Sequence, residues 1–157
     1  MADIETHTEQ IDRIDMAILR ELSADGRMSV TDLAQHVGLS KSPCQVRLRK
    51  LQELGYIRGF RAVLDPQRLG LDHIAFVEVR LCDTTEAALS AFNAAVSAVP
   101  EVEECHMIAG AFDYLLKVRT TDINAYRQVL GEKISALPYV GSSSTHVSMQ
   151  AVKDRAF

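Results

Sequence analysis

Apolar positions recur along this chain with two different periods, and the change of period divides it. Up to residue 54 they fall three and four apart. Ile11, Ile14, Ile18, Leu19 and Leu22 form one helical stripe, which predicts a helix over about Gln10 to Ser23, with Asp12 and Asp15 near its positive end and Asp25-Gly26 breaking it. Val30, Leu33, Ala34 and Val37 predict a second, shorter helix closed by Gly38, a residue that accepts the left-handed conformation a helix end often needs. Cys44, Leu48, Leu51 and Leu54 predict a third, starting near Ser42, with Ser40 or Ser42 as cap and Pro43 in the first turn. Gly55 stops it. The residues from Tyr56 to Leu64 read as a small hairpin turning at Gly59, and Asp65-Pro66 and Leu69-Gly70 punctuate the chain after it.

From His73 the pattern changes. HIAFVEVRL, residues 73–81, is strand-like, and Thr84 or Thr85 then caps a helix running to Ala98, with Ala88, Leu89, Phe92, Ala95, Val96 and Val99 as its buried stripe. Val102 to Ala109 and Tyr114 to Arg119 read as two strands, Ala125 to Ala136 as a helix capped by Asp122 or Asn124, and Ser143 to Val152 as a last strand. Strand, helix, strand, strand, helix, strand is the ferredoxin-like βαββαβ order: one antiparallel sheet with both helices on one face. Ile74, Phe76, Met107, Val147 and Met149 suggest a partly apolar opposite face, which predicts pairing with a second copy. The expected architecture is α+β: a winged helix-turn-helix over 1–64, a linker over 65–72 and a ferredoxin-like domain over 73–157.

Charge changes the picture for the first half. The 157-residue chain has a formal net charge of −4, yet from Ser40 to Arg61 six basic residues face Glu53 alone. A short helix, a glycine turn and a basic helix match the motif whose second helix enters the major groove of double-stranded DNA. Ser40, Lys41, Ser42, Gln45, Arg47, Arg49 and Lys50 are the expected contacts on that helix, with Gln and Arg suited to base edges. Arg58 and Arg61 on the hairpin would reach phosphates. The same residues also fit an ordinary helical hairpin with a solvated basic face.

Other chemistry is sparse. Cys44, Cys82 and Cys105 are widely spaced, without zinc-ligand spacing, and no secretory signal precedes them, so a reduced cytoplasmic protein is expected. The five histidines are scattered, and Cys105 beside His106 points to the other face of its strand. No run approaches membrane-spanning length. Neither enzyme, metal nor cofactor is therefore expected. Two other functions fit the pattern: an architectural chromatin protein without effector, or a ligand-binding or enzymatic ferredoxin-like domain fused to a protein-binding helical module.

IDRIDMAILREL, VGLSKSPCQVRLRKLQELGYIRGF, VEECHMIAGAFDYLLKV and AYRQVLGEKI together closely resemble the Lrp/AsnC family of transcriptional regulators over nearly the whole chain. Pairing GLSKSPC with GAFDYLL is more specific than a generic helix-turn-helix pattern. The resemblance implies regulation of amino-acid metabolism and dimers that assemble into tetramers, octamers or larger rings. It also implies an amino-acid effector bound at a junction between dimers. Residues 84–138 are most similar to the branch that activates proline catabolism, which makes proline the expected effector. Ala111 stands where leucine-responsive members carry an acidic residue.

By that resemblance the effector residues are Met107, Gly110, Asp113, Tyr114, Ser144, Thr145 and His146. The chemistry is suitable: a free amino acid needs donors for its carboxylate and an acceptor for its ammonium, and Asp113 offers the acceptor. The residues read alone fit a simpler structure equally, with residues 110–113 as a hairpin turn, Tyr114 in the core and the Ser/Thr run as a polar strand edge.

Overall fold

The computed structural model describes residues 11–153, so a helix start at Gln10 lies outside the described residues. The described chain divides into two compact units between Val63 and Leu64.

The first unit holds three helices, α1 (Arg13–Ala24), α2 (Val30–His36) and α3 (Lys41–Glu53). Asp12 caps α1 reciprocally: its carboxylate accepts from the Ile14 and Asp15 N–H groups, and the Asp15 carboxylate accepts from the Asp12 N–H. At the end of α2, Gly38 takes φ +71°, and the Leu39 N–H donates to the Ala34 carbonyl at 2.8 Å. That reversal is a Schellman turn, and it sets the entry of α3. Ser40 occupies the N-cap position of α3 without a side-chain capping bond. Ile18, Leu33, Ala34, Cys44 and Leu51 form the buried core. The expected wing hairpin is not formed within the chain: residues 57–65 carry no strand, and the segment from Tyr56 to Leu64 is exposed apart from Ile57.

The second unit contains β1 (His73–Leu81), α4 (Glu86–Val96), β2 (Val102–Met107), β3 (Tyr114–Thr120), α5 (Ile123–Gln128), a π-helical turn (Val129–Ile134) and β4 (Val140–Val147). The sheet order is β2-β3-β1-β4, every neighbouring pair antiparallel. This is the ferredoxin-like arrangement anticipated from the element order. Ala75, Val77, Val79, Leu116 and Val118 face the helices and pack on Phe92, Val96, Tyr126 and Ile134. The second helix was expected to be α throughout. Instead the Ser135 N–H donates five residues back, to the Leu130 carbonyl, and the wider turn brings Val129 and Ile134 to the same buried side. Gly131 lies inside that turn, where low helix propensity eases the change.

The last strand starts and ends earlier than its sequence suggests. Tyr139 enters it at φ 62°, and Gly141 passes so close to β1 that a Cβ would meet the Cys82 nitrogen at 3.3 Å. The expected apolar open face also needs correction. Met107 pairs with Tyr114 and Val147 with Ala75, so register places both on the helix side, exposed at opposite edges, while Met149 lies beyond the strand. A bulge between Val102 and Glu104 turns both Glu103 and Glu104 toward Lys117, and Glu103 also meets Arg119. The open face is therefore largely charged around Ile74, Phe76 and Leu115. Among the described residues no helix is long and apolar enough to cross a membrane.

Candidate DNA-binding face and effector cleft

Helix α3 has two distinct faces. Cys44 and Leu51 are buried and Leu48 is half-buried, which fixes the helix against α1 and α2. The opposite side carries Ser42, Gln45, Val46, Arg49 and Lys50, all exposed, with Lys41 and Ser40 at its start. These side chains are held on a rigid element and turned away from the core. Arg58 and Arg61 are exposed on the segment that follows.

Arg47 departs from the expected role. Its Nη1 lies 2.6 Å from Asp12 Oδ2 and 2.8 Å from Asp15 Oδ1, so it clamps α3 to the N-terminus of α1. The Asp15 side chain is 1% exposed. A buried carboxylate requires such a partner, which removes Arg47 from the groove-facing set. The Asp12 carboxyl is held below its ordinary range, first by the Asp15 N–H and then by Arg47. Arg47 stands three residues after Cys44 and four before Leu51, so the helical period sets it beside the buried stripe and Arg49 on the far side, but the period alone does not name its partners. The signal was Asp12 and Asp15 together, which sequence reading assigned only to the helix dipole.

In the second unit the loop between β2 and β3 folds back over the end of β1. The Asp113 N–H donates to the Val79 carbonyl at 2.9 Å, and Asp113 Oδ2 accepts from the Leu81 N–H at 2.8 Å, where the β1–β4 register shifts. Asp113 thus anchors the loop. Phe112 is carried across to β4, and a hollow of about 80 Å³ opens between Phe112, Glu78, Arg80 and Ser142 to Ser144. Of the expected effector residues only Ser144 lines it.

The others are dispersed. Tyr114 is 2% exposed, in the core against Phe92 with ring centroids 4.4 Å apart, and burial pushes its phenol pKa up. Thr145 faces the helices, its Oγ1 2.5 Å from the Tyr126 hydroxyl. His146 is on the open face, 3.3 Å from Glu78. Met107 sits on β2, three strand spacings from β4, or about 14 Å. One small amino acid cannot span that within a single copy. Gly110 is exposed on the loop, and a Cβ there would meet only Ile108 Cγ2, at 3.5 Å. Sequence reading missed Glu78, Arg80 and Phe112, because only the register of β1 with β4 and the fold-back of the loop bring them together. A larger hollow, of about 340 Å³, lies at the opposite end of the sheet beside Glu101, Thr120 and Lys133, and none of the expected effector residues lines it.

Comparison with known proteins identifies both units. Residues 74–156 match the Lrp/AsnC ligand binding domain, and residues 11–58 match the winged helix-turn-helix DNA-binding domain. The chain belongs to the Lrp/AsnC family. A proline dehydrogenase transcriptional activator of Rhizobium radiobacter is 65% identical, over 94% of this chain and 94% of that protein. The leucine-responsive regulatory protein of Salmonella typhimurium is 45% identical, over 92% and 88%. Among solved structures, a transcriptional regulator from Neisseria meningitidis in complex with L-Met superposes with a TM-score of 0.85 at 31% identity, covering 92% of this chain and 93% of that one. This Lrp/AsnC protein is a DNA-binding transcriptional regulator with a ligand-responsive domain.

Proposed function

We propose that this regulator activates proline catabolism in response to proline, with residues 1–64 reading DNA, 65–72 linking and 73–157 binding effector and assembling copies. The 65% identity to a proline dehydrogenase activator, sustained through both units, carries this reading. Exposed Ser42, Gln45, Arg49 and Lys50 are the groove-facing set, with Ser40 and Lys41 at its start and Arg58 and Arg61 on phosphates.

The cleft beside Phe112 suits a zwitterion. Arg80 offers donors for a carboxylate, Glu78 an acceptor for an ammonium, and Ser142 to Ser144 hydroxyls between them. At about 80 Å³ it is smaller than an ordinary ligand pocket, so a second copy completes it. Met107 and His146 then belong to such a junction, contributed by different copies. Gly110 keeps the loop open to the approaching partner. Binding at a junction favours one assembly over another, and so changes the spacing of the α3 helices presented to DNA.

Thermal unfolding against a panel of amino acids tests the effector. A ligand specific for the folded assembly stabilises it by about 2.7 kcal/mol at a hundredfold excess over Kd. A shift with proline and none with leucine or methionine is the expected result. A shift with another amino acid alone would reassign the effector, and insensitivity to all of them would favour an architectural role.

A further inference from the structure

Val46 is the one residue of the outer α3 face whose exposure has no account in folding or in charge. It is 68% exposed, more than any other apolar side chain of the three helices among those described as exposed. Ser42, Val46, Arg49 and Glu53 follow each other at i, i+4, i+7 and i+11, the line diametrically opposite the buried Cys44 and Leu51. Val46 therefore projects from the middle of the surface presented to the major groove. Its neighbours on that surface are polar or cationic: Gln45, Arg49 and Lys50.

We propose that Val46 reads sequence by packing on the 5-methyl group of a thymine. The major groove offers a protein one apolar feature, the thymine methyl, and a branched aliphatic side chain at the centre of a polar reading helix matches it. Gln45 sits one residue earlier on the flank of the same face, and its amide makes the paired hydrogen bonds that select adenine. The two together direct the N-terminal half of α3 to A·T pairs. Glu53, on the same line but two turns further on, repels phosphates and keeps that end of the helix out of the groove.

This inference rests on α3 being the groove-entering helix, and the experiment separates the two. Duplexes preferred by the purified full-length protein are selected from a random pool, and each thymine of the selected site is replaced by deoxyuridine, which lacks only the methyl. The expected result is that the wild-type protein loses about fourfold in affinity at one thymine per half-site, the loss for one buried methyl. V46A removes the discrimination, binding the thymine and deoxyuridine forms of that position alike. Val46 is exposed and alanine favours helix, so V46A retains the fold, which circular dichroism checks. V46I keeps the preference for thymine. Equal binding of every deoxyuridine duplex by the wild-type protein, or an undiminished methyl preference in V46A, overturns the proposal while leaving α3 as the reading helix. Selection of no preferred duplex overturns the proposal and sequence-specific reading by α3 with it.

Discussion

Among the described residues, the N-terminal unit closes on a core cluster of five buried side chains, Ile18, Leu33, Ala34, Cys44 and Leu51, whereas the second unit packs a cluster of twelve between its sheet and helices. A small core leaves proportionally more of the stability to polar contacts. In the first unit one such contact is the clamp of Arg47 on Asp12 and Asp15, which recruits an arginine from the reading helix itself. In the second, the charged contacts of Glu103, Glu104, Lys117 and Arg119 lie on the open face, outside the core. A basic helix is therefore not a uniform DNA surface. One of its two arginines holds the fold that presents the other.

The largest effect is expected where the core is large. Phe92, on α4, is fully buried against Tyr114, and F92A should cost about 3–5 kcal/mol by leaving a cavity under the sheet. Chemical denaturation should show the loss in the transition of the second unit, with effector response lost before DNA binding.

R47A should have the next largest effect. Removing the guanidinium leaves Asp15 Oδ1 buried without its partner, which should destabilise the first unit by about 2–3 kcal/mol in the absence of DNA. R49A, on the exposed face, should change stability by less than about 0.5 kcal/mol. If Arg49 contacts phosphate, R49A weakens all duplexes alike and lowers the salt slope by about one. Equal stability of R47A and R49A, with both impaired only in DNA binding, would mean that the clamp is absent in solution.

These two arginines also show where sequence reading stops. Hydrophobic period placed the helices and strands because each element buries one face, and that constraint is local. The sheet topology and the outward positions of Ser42, Gln45, Arg49 and Lys50 followed from it, and the Gly38 turn from the glycine itself. Arg47 was misread because its partners lie 32 and 35 residues away on another helix, beyond any periodic signal. The proposed effector cleft was half-legible for the same reason. The loop at residues 110–113 was marked by its composition, but Glu78 and Arg80 join it only through the register of β1 against Ser144 and Ser142. Tyr114 and Thr145 alternate onto the helix side, a consequence of strand period that shared chemistry had obscured.

The weakest expected effect is a dependence of two helix caps on pH. Asp12 and Asp122 are equivalent caps, of α1 and α5, and each carboxyl is held below its ordinary value of 3.8 first by a backbone N–H. Only Asp12 adds an arginine. Since both folded values lie below the unfolded one, each cap stabilises its helix fully above about pH 4 and ceases to do so as pH falls through the folded value. Carboxyl-carbon NMR titration should find both midpoints depressed in the wild-type protein. In R47A the Asp12 midpoint should rise yet stay below 3.8, because the Asp15 N–H still donates to it, while Asp122 stays where it was. An Asp12 midpoint unmoved by R47A would mean that Arg47 is not paired with Asp12, leaving the clamp to Asp15 alone.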